Sequence, residues 1–448
     1  MRLKQASTYL LALTLPWHCL GGSSTKVPSA ADLAASFTKI PPCALECLTQ
    51  SVTGAGCGLT DPQCICVDEY VAIEKAGAPC ILEACSLIEA LSTKNVTETA
   101  CLKPMRDSSR RYDTMNILLG VITALLVVTR LLFKKFFSYR RELGADDWVI
   151  LATVVIGVPC TIINKVGLTA NGLGKDVWTI PVDQLIRFVM FFYIMEVLYL
   201  TEMALIKLSL SLFYLYIFPG SAIRRLLMGT AIFNVVFGFT FVTTGIFQCT
   251  PVSRYWTQYV DPDSPGHCIN INLFAWVHAA LNIALDVWMI AIPLSQIKKL
   301  GLHWKKKIGV TLMFLLGTFV TIVSILRLQS LVDFANSTNP TWDNWIVAWW
   351  STIEVNVGMI CTCLPTVRLI LVRAAPRIFS TNMSHNKSDP THNGTHDRYS
   401  RNSKIMGHKQ IELASIETRI VEEGEKPGKA REFFGAEGSR CTSRGGQV

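Results

Sequence analysis

Seven apolar stretches constrain this chain more than anything else in it, at residues 115–133, 148–168, 188–218, 226–247, 271–293, 308–331 and 346–372. Each is close to or longer than the roughly 20 residues that carry a helix across a bilayer. Hydrocarbon offers no water to an unpaired amide, so every one of them is expected to be a helix rather than an isolated strand. Composition points the same way, since 50% of the 448 residues are hydrophobic and only 17% are charged, too apolar for an ordinary soluble chain. The expected fold class is all-α, with a seven-helix transmembrane bundle over 115–372. The remainder, 373–448, is rich in Ser, Asn, Gly, Lys, Arg and Glu and is expected to be a disordered cytosolic tail.

Residues 1–22 open with Arg2 and Lys4, continue through the short apolar run TYLLALTLPW and end at small residues. That order predicts a secretory signal peptide; the brevity of the run and Pro16 argue against a signal anchor. Export decides how the next segment is read. Between residues 40 and 103 lie Cys43, Cys47, Cys57, Cys64, Cys66, Cys80, Cys85 and Cys101, an even set in an oxidising compartment, so disulfides are the expected chemistry. A zinc site is the rival reading, but no histidine lies in this segment. So short a module needs cross-links because its core is too small to hold it folded. Residue types alone leave roughly a hundred connectivities open.

The pattern P-C-A-x-x-C, then nine residues, C, T-D-x-x-C-x-C, thirteen residues, C, four residues, C, fifteen residues and C resembles the CFEM domain of fungal extracellular membrane proteins. The resemblance implies a helical basket paired Cys43 to Cys85, Cys47 to Cys80, Cys57 to Cys64 and Cys66 to Cys101. In haem-capturing members an aspartate ahead of the fourth cysteine is the axial ligand. The matching residue is Asp61, whose hard oxygen donor would suit ferric haem. Read from the residues, Asp61 followed by Pro62 is equally an N-cap opening a helix through CICVDEYVAIEKA that Gly77 would close.

Lys and Arg counts orient the bundle. With the cysteine module outside, the inner connections hold Lys134, Lys135, Arg140 and Arg141, then Arg224 and Arg225, then Lys298, Lys299, Lys305, Lys306 and Lys307, while the outer stretch 332–345 holds none. The expected location is the cell membrane, multi-pass, amino terminus extracellular and tail cytosolic. Cys249 and Cys268 then share the oxidising side and are expected to pair. Asn95 and Asn336 sit in outward-facing glycosylation sequons, whereas Asn382, Asn386 and Asn393 face the wrong side.

The strings KLSLSLFYLYIF, FQCTPVSRYW, DVWMIAIPLSQIKKL and IEVNVGMICTCLPTVRLIL, in that order, resemble the fungal rhodopsin-like domain of CFEM-bearing, pathogenicity-associated seven-helix receptors. That likeness implies sensing of surface or host cues and a contribution to infection-structure development and virulence. Retinal chemistry is not expected, because residues 346–372 contain no lysine for a Schiff base. The third stretch lacks an Asp/Glu-Arg-Tyr triplet and the seventh lacks Asn-Pro-x-x-Tyr, so coupling to a heterotrimeric G protein rests on analogy of shape.

Ionisable groups within spans are costly and therefore informative. Glu196, Glu202 and Lys207 lie in the third, His278, Asn282 and Asp286 in the fifth, Arg327 in the sixth, Glu354 and Asn356 in the seventh. One reading is a ligand pocket or activation network lined by Glu196, Asp286, Arg327 and Glu354. The other is interhelical pairing that only fixes the bundle, with Arg327 snorkelling to the interface. No phosphate loop, His-Glu-x-x-His or Gly-x-Ser-x-Gly elbow occurs, so no enzyme is expected. The +9 net charge suits cytosolic loops facing phospholipid and needs no nucleic acid. The expected function is a receptor-like sensor with the lipid bilayer and an external ligand or host surface as partners. The alternatives are a membrane-tethered haem or iron binder and an effector-like suppressor of host defence.

Overall fold

The computed structural model describes residues 27–137, 143–218, 220–259, 265–299, 304–335 and 337–374. The expected signal peptide, the tail with its three sequons, and Asn336 lie outside the described residues, as do the side chains of the lysines between 298 and 307.

Four helices build the amino-terminal module: α1 (Ala30–Phe37), α2 (Pro42–Gly54), α3 (Tyr70–Ala84) and α4 (Leu87–Ala100). Their starts are chemically marked. Ser29 accepts from the amide of Asp32, and Ser86 with Glu89 forms a capping box at α4. Four disulfides join Cys43 to Cys85, Cys47 to Cys80, Cys57 to Cys64 and Cys66 to Cys101. Around them Leu33, Val52, Ile65 and Ile73 form the module's own apolar core.

One local expectation fails. Gly77 does not close a helix: a wide turn, Cys64–Asp68, comes first, and α3 then runs through Gly77 and Pro79 to Ala84. The glycine serves close approach instead, because a Cβ there would lie 3.0 Å from Ser51 Oγ on α2.

The seven spans are Ser109–Phe137, Ala145–Thr169, Val182–Ile217, Ser221–Ile246, Ile271–Gln296, Phe314–Phe334 and Pro340–Leu371, each long and apolar enough to cross a membrane. Several helices overrun the apolar stretches at their ends, since a helix continues through polar interfacial residues that hydropathy leaves out. Outward-facing Leu125, Val155 and Phe239 are more than half exposed, as side chains in lipid contact are. Consecutive spans pack together from the first to the fourth and from the fifth to the seventh, the fourth and fifth meet through side chains such as Phe237 on His278, and the seventh packs against the first while also touching the third. After the fourth span, strands β1 (Cys249–Thr250) and β2 (His267–Cys268) pair antiparallel and carry the Cys249–Cys268 disulfide.

Candidate functional site

A polar network occupies the middle of the bundle, built from the third, fifth, sixth and seventh spans. Glu354, fully buried, accepts from Asn282 Nδ2 at 2.8 Å and Tyr199 Oη at 2.9 Å, and lies 3.7 Å from Arg327 Nη1. Lys207 Nζ pairs with Asp286 Oδ1. The Ser324 hydroxyl stands 2.6 Å from Glu354 Oε1 and 2.9 Å from Asp286 Oδ2; its single proton can serve only one of them at a time. Two cations and two carboxylates thus balance. Such balance is what makes the burial tolerable, because a lone charge there would cost several kcal/mol. Arg327 points inward, donating to Tyr199 Oη at 2.6 Å and Ser351 Oγ at 3.0 Å, so it does not snorkel to an interface.

Beside this network, towards the end of the bundle that carries the disulfide module, lies a cavity of about 190 Å³ walled by six of the seven spans. Of the four residues expected to line a pocket, Glu196 and Arg327 do so, whereas Asp286 and Glu354 are absent from the wall. They belong to the adjoining network, held there by Lys207, Asn282 and Ser324. Glu196 accepts from Gln248 Nε2 at 3.0 Å, with Tyr255 Oη at 3.5 Å. Glu202 also lines the cavity.

At the opposite end a second cluster appears that the sequence reading passed over. Arg130 is fully buried and donates from Nε to Asp147 Oδ1 at 3.0 Å, from Nη2 to Asp146, and from Nη1 to the carbonyl of Thr362 on the seventh span. Lys134, one turn on, reaches Asp147 Oδ2 at 2.7 Å and Asp146 Oδ2 at 3.0 Å. Ser209 on the third span donates to the Asp146 carbonyl at 3.2 Å. This cluster ties four elements together. Its sequence signal was the i,i+4 pair Arg130 and Lys134 near a span end, followed by Asp146-Asp147 opening the next span. Lys134 had been counted as a bare topogenic charge, and here it is neutralised.

A third set of contacts joins the module to the bundle. Asp176, in the connection after the second span and buried, accepts from the Arg106 amide at 3.0 Å, from its Nε at 2.9 Å, and from Asn339 Nδ2 at 2.8 Å. Gly174 donates to the Thr341 carbonyl at 3.0 Å, and Trp345 Nε1 donates to Ser108 O at 3.2 Å. Gly174 has φ +80°, and a Cβ there would lie 2.8 Å from the Trp345 ring, so only glycine fits. From α4, Lys94 stands 5.0 Å from the Trp178 ring centroid, and Leu91 packs on the cluster of Leu185 and Phe188. The linker from the module is therefore bonded to the first turns of the seventh span, which go on to line the cavity through Asn344, Ala348 and Ser351.

In the module, Asp61 caps its turn. Oδ1 accepts from the amides of Gln63 at 3.1 Å and Cys64 at 3.2 Å, and the residue is exposed. Asn95 is exposed on α4. Among the described residues, the one grouping of possible metal donors is Cys43, Cys85 and Glu89, and both cysteines are spent in a disulfide.

Seven membrane helices around a polar core, with a disulfide-stapled module at one end, define a receptor-like membrane protein. Residues 97–373 match the fungal rhodopsin domain and residues 36–102 match the CFEM domain; the chain belongs to the fungal rhodopsin domain family. Among curated relatives, it is 29% identical over 240 residues to a SAT4 family membrane protein of Emericella nidulans, covering 52% of this chain and 59% of that one. It is 25% identical over 268 residues to Receptor GIN3 of Arthrobotrys oligospora, covering 58% and 62%. The matched stretch thus spans less than two thirds of either relative. No solved structure matches.

Proposed function

We propose that the chain is a cell-surface sensor whose exported CFEM module meets a surface or host cue and whose bundle relays it across the plasma membrane. The observation that carries this reading is the bonded seam of Arg106, Asp176 and Asn339, which couples the module's linker to the wall of an intramembrane cavity. A tether needing no communication would not require it. The name of the relative Receptor GIN3 supports the same reading. In this scheme the module is outside, the tail is cytosolic, the cytosolic partner is a heterotrimeric G protein, and the output is infection-structure development. Orientation is the first test. The chain made in fungal cells should lose mass on deglycosylation, by a smaller amount in Asn95→Gln, and a tag on the tail should resist protease added to intact cells. A tag digested from outside would overturn the reading.

A second reading, haem capture by the module, is favoured by one observation: the Asp61 cap uses a single carboxylate oxygen, Oδ1. The other remains uncommitted to the cap on an exposed residue. Asp61 would hold ferric haem, which would supply the iron, while the chain contributes an anionic oxygen on a disulfide-fixed turn. Titration with ferric haem should give a saturable Soret shift. Asp61→Ser should lose that shift while keeping a capping hydroxyl; Asp61→Ala would also lose about 1 kcal/mol of cap. No shift in the wild type with its eight module thiols oxidised would remove haem capture and leave the sensor standing.

A further inference from the structure

The cavity holds two polar atoms with nothing to bond. Glu202, only 4% exposed, has its Oε1 without a hydrogen-bond partner among the described residues, and so has the Oδ1 of Asn344, 1% exposed. Both residues line the same cavity. A buried carboxylate oxygen left without a donor costs several kcal/mol. A Cβ at Gly157 would come within 3.1 Å of Glu202 Oε1, and the glycine leaves that space clear.

Charge accounting gives the class of molecule that would fit. Glu196 is met by Gln248 and Tyr255. Arg327 is met by Glu354, Tyr199 and Ser351. Among the described ionisable groups of the wall, Glu196 and Glu202 both lack an ion-paired cation, and of the two it is Glu202 that has a buried carboxylate oxygen with no hydrogen-bond partner. The same wall carries the rings of Tyr112, Phe192 and Tyr199, whose faces attract positive charge, and the apolar side chains of Val154 and Met359. We propose that this cavity binds a small, largely apolar molecule bearing a protonated amine, with Glu202 as its counter-ion. At about 190 Å³ it falls below the ~300–1,000 Å³ of common ligand pockets, so the ligand is small. The inference goes beyond the sensor reading and does not depend on what the module recognises.

Cys160 supplies a local reporter, being a buried free thiol in the same wall. The full chain in lipid nanodiscs is treated with N-ethylmaleimide, and alkylation of Cys160 is followed by peptide mass mapping with phenethylamine or cyclohexylmethylamine present. The near-isosteric alcohols, 2-phenylethanol and cyclohexylmethanol, are the controls. The amines should protect Cys160 at concentrations at least tenfold below the alcohols, and Glu202→Gln should abolish that preference. Should Glu202→Gln fail to fold, the amine-to-alcohol ratio in the wild type decides alone. Equal protection by amine and alcohol, retained preference in Glu202→Gln, or no protection by either amine overturns the proposal. Because the readout is binding, it stands or falls separately from signalling.

Discussion

Arg130→Met is expected to remove most folded protein from the membrane. The guanidinium is fully buried and serves Asp146, Asp147 and the Thr362 carbonyl at once. Methionine fills similar volume and leaves two buried carboxylates with Lys134 alone. Breaking a buried ionic cluster from one side costs about 3–5 kcal/mol, a large share of the ~5–15 kcal/mol that holds a typical domain folded. Arg130→Lys should rescue little, because one ammonium cannot reproduce a planar fork aimed at three acceptors on different elements. Lys134→Met should be mild by comparison, since that side chain is 25% exposed and water screens what it leaves behind. Thermal melting in detergent and the surface-delivered fraction check the ranking. Equal losses for Arg130→Met and Lys134→Met would show that the cluster is not a buried unit.

Asp176→Ala should detach the module without unfolding either part. Removing this carboxylate leaves the Arg106 amide and guanidinium and the Asn339 amide without their shared acceptor. A hydrogen bond to a charged group contributes about 1.5–3 kcal/mol, so the loss is large for one residue. It is also local. The module keeps its four disulfides and its own core, while the bundle keeps the neutral network around Glu354. Trypsin should then cut the linker after Arg106 at least tenfold faster than in the wild type, with the melting of the bundle little changed. Unaltered cleavage would mean that α4 against Trp178, rather than the Asp176 bonds, holds the module in place.

The existence of the spans was legible because hydrocarbon allows few alternatives to a helix, and the intramembrane Glu196, Asp286, Arg327 and Glu354 were legible because charge in a span is costly. Division of those four between a cavity and a closed network was not legible, since it depends on which partner each finds on another helix. Glu202 stood in the same third-span series as Glu196 and Lys207, and only its missing partner in three dimensions marks it out. Arg130 escaped notice because it sits where basic residues also serve topology. The seam was beyond pattern reading altogether: Arg106 and Asp176 are 70 residues apart, and Asp176 and Asn339 are 163 apart. Gly77 shows the converse error, in which a residue that stops helices in isolation was kept inside one by close packing on Ser51.

The central claim is that the amino-terminal module is mechanically joined to the wall of the cavity, and hydrogen–deuterium exchange tests it most directly. Amide exchange in the full chain is compared between the wild type and Asp176→Ala. The account predicts faster exchange in residues 102–108, in 172–180 and onward into the first turns of the seventh span at 339–352, with 145–163 and the network around Glu354 unchanged. Faster exchange confined to 102–108, with 339–352 as protected as before, would contradict it.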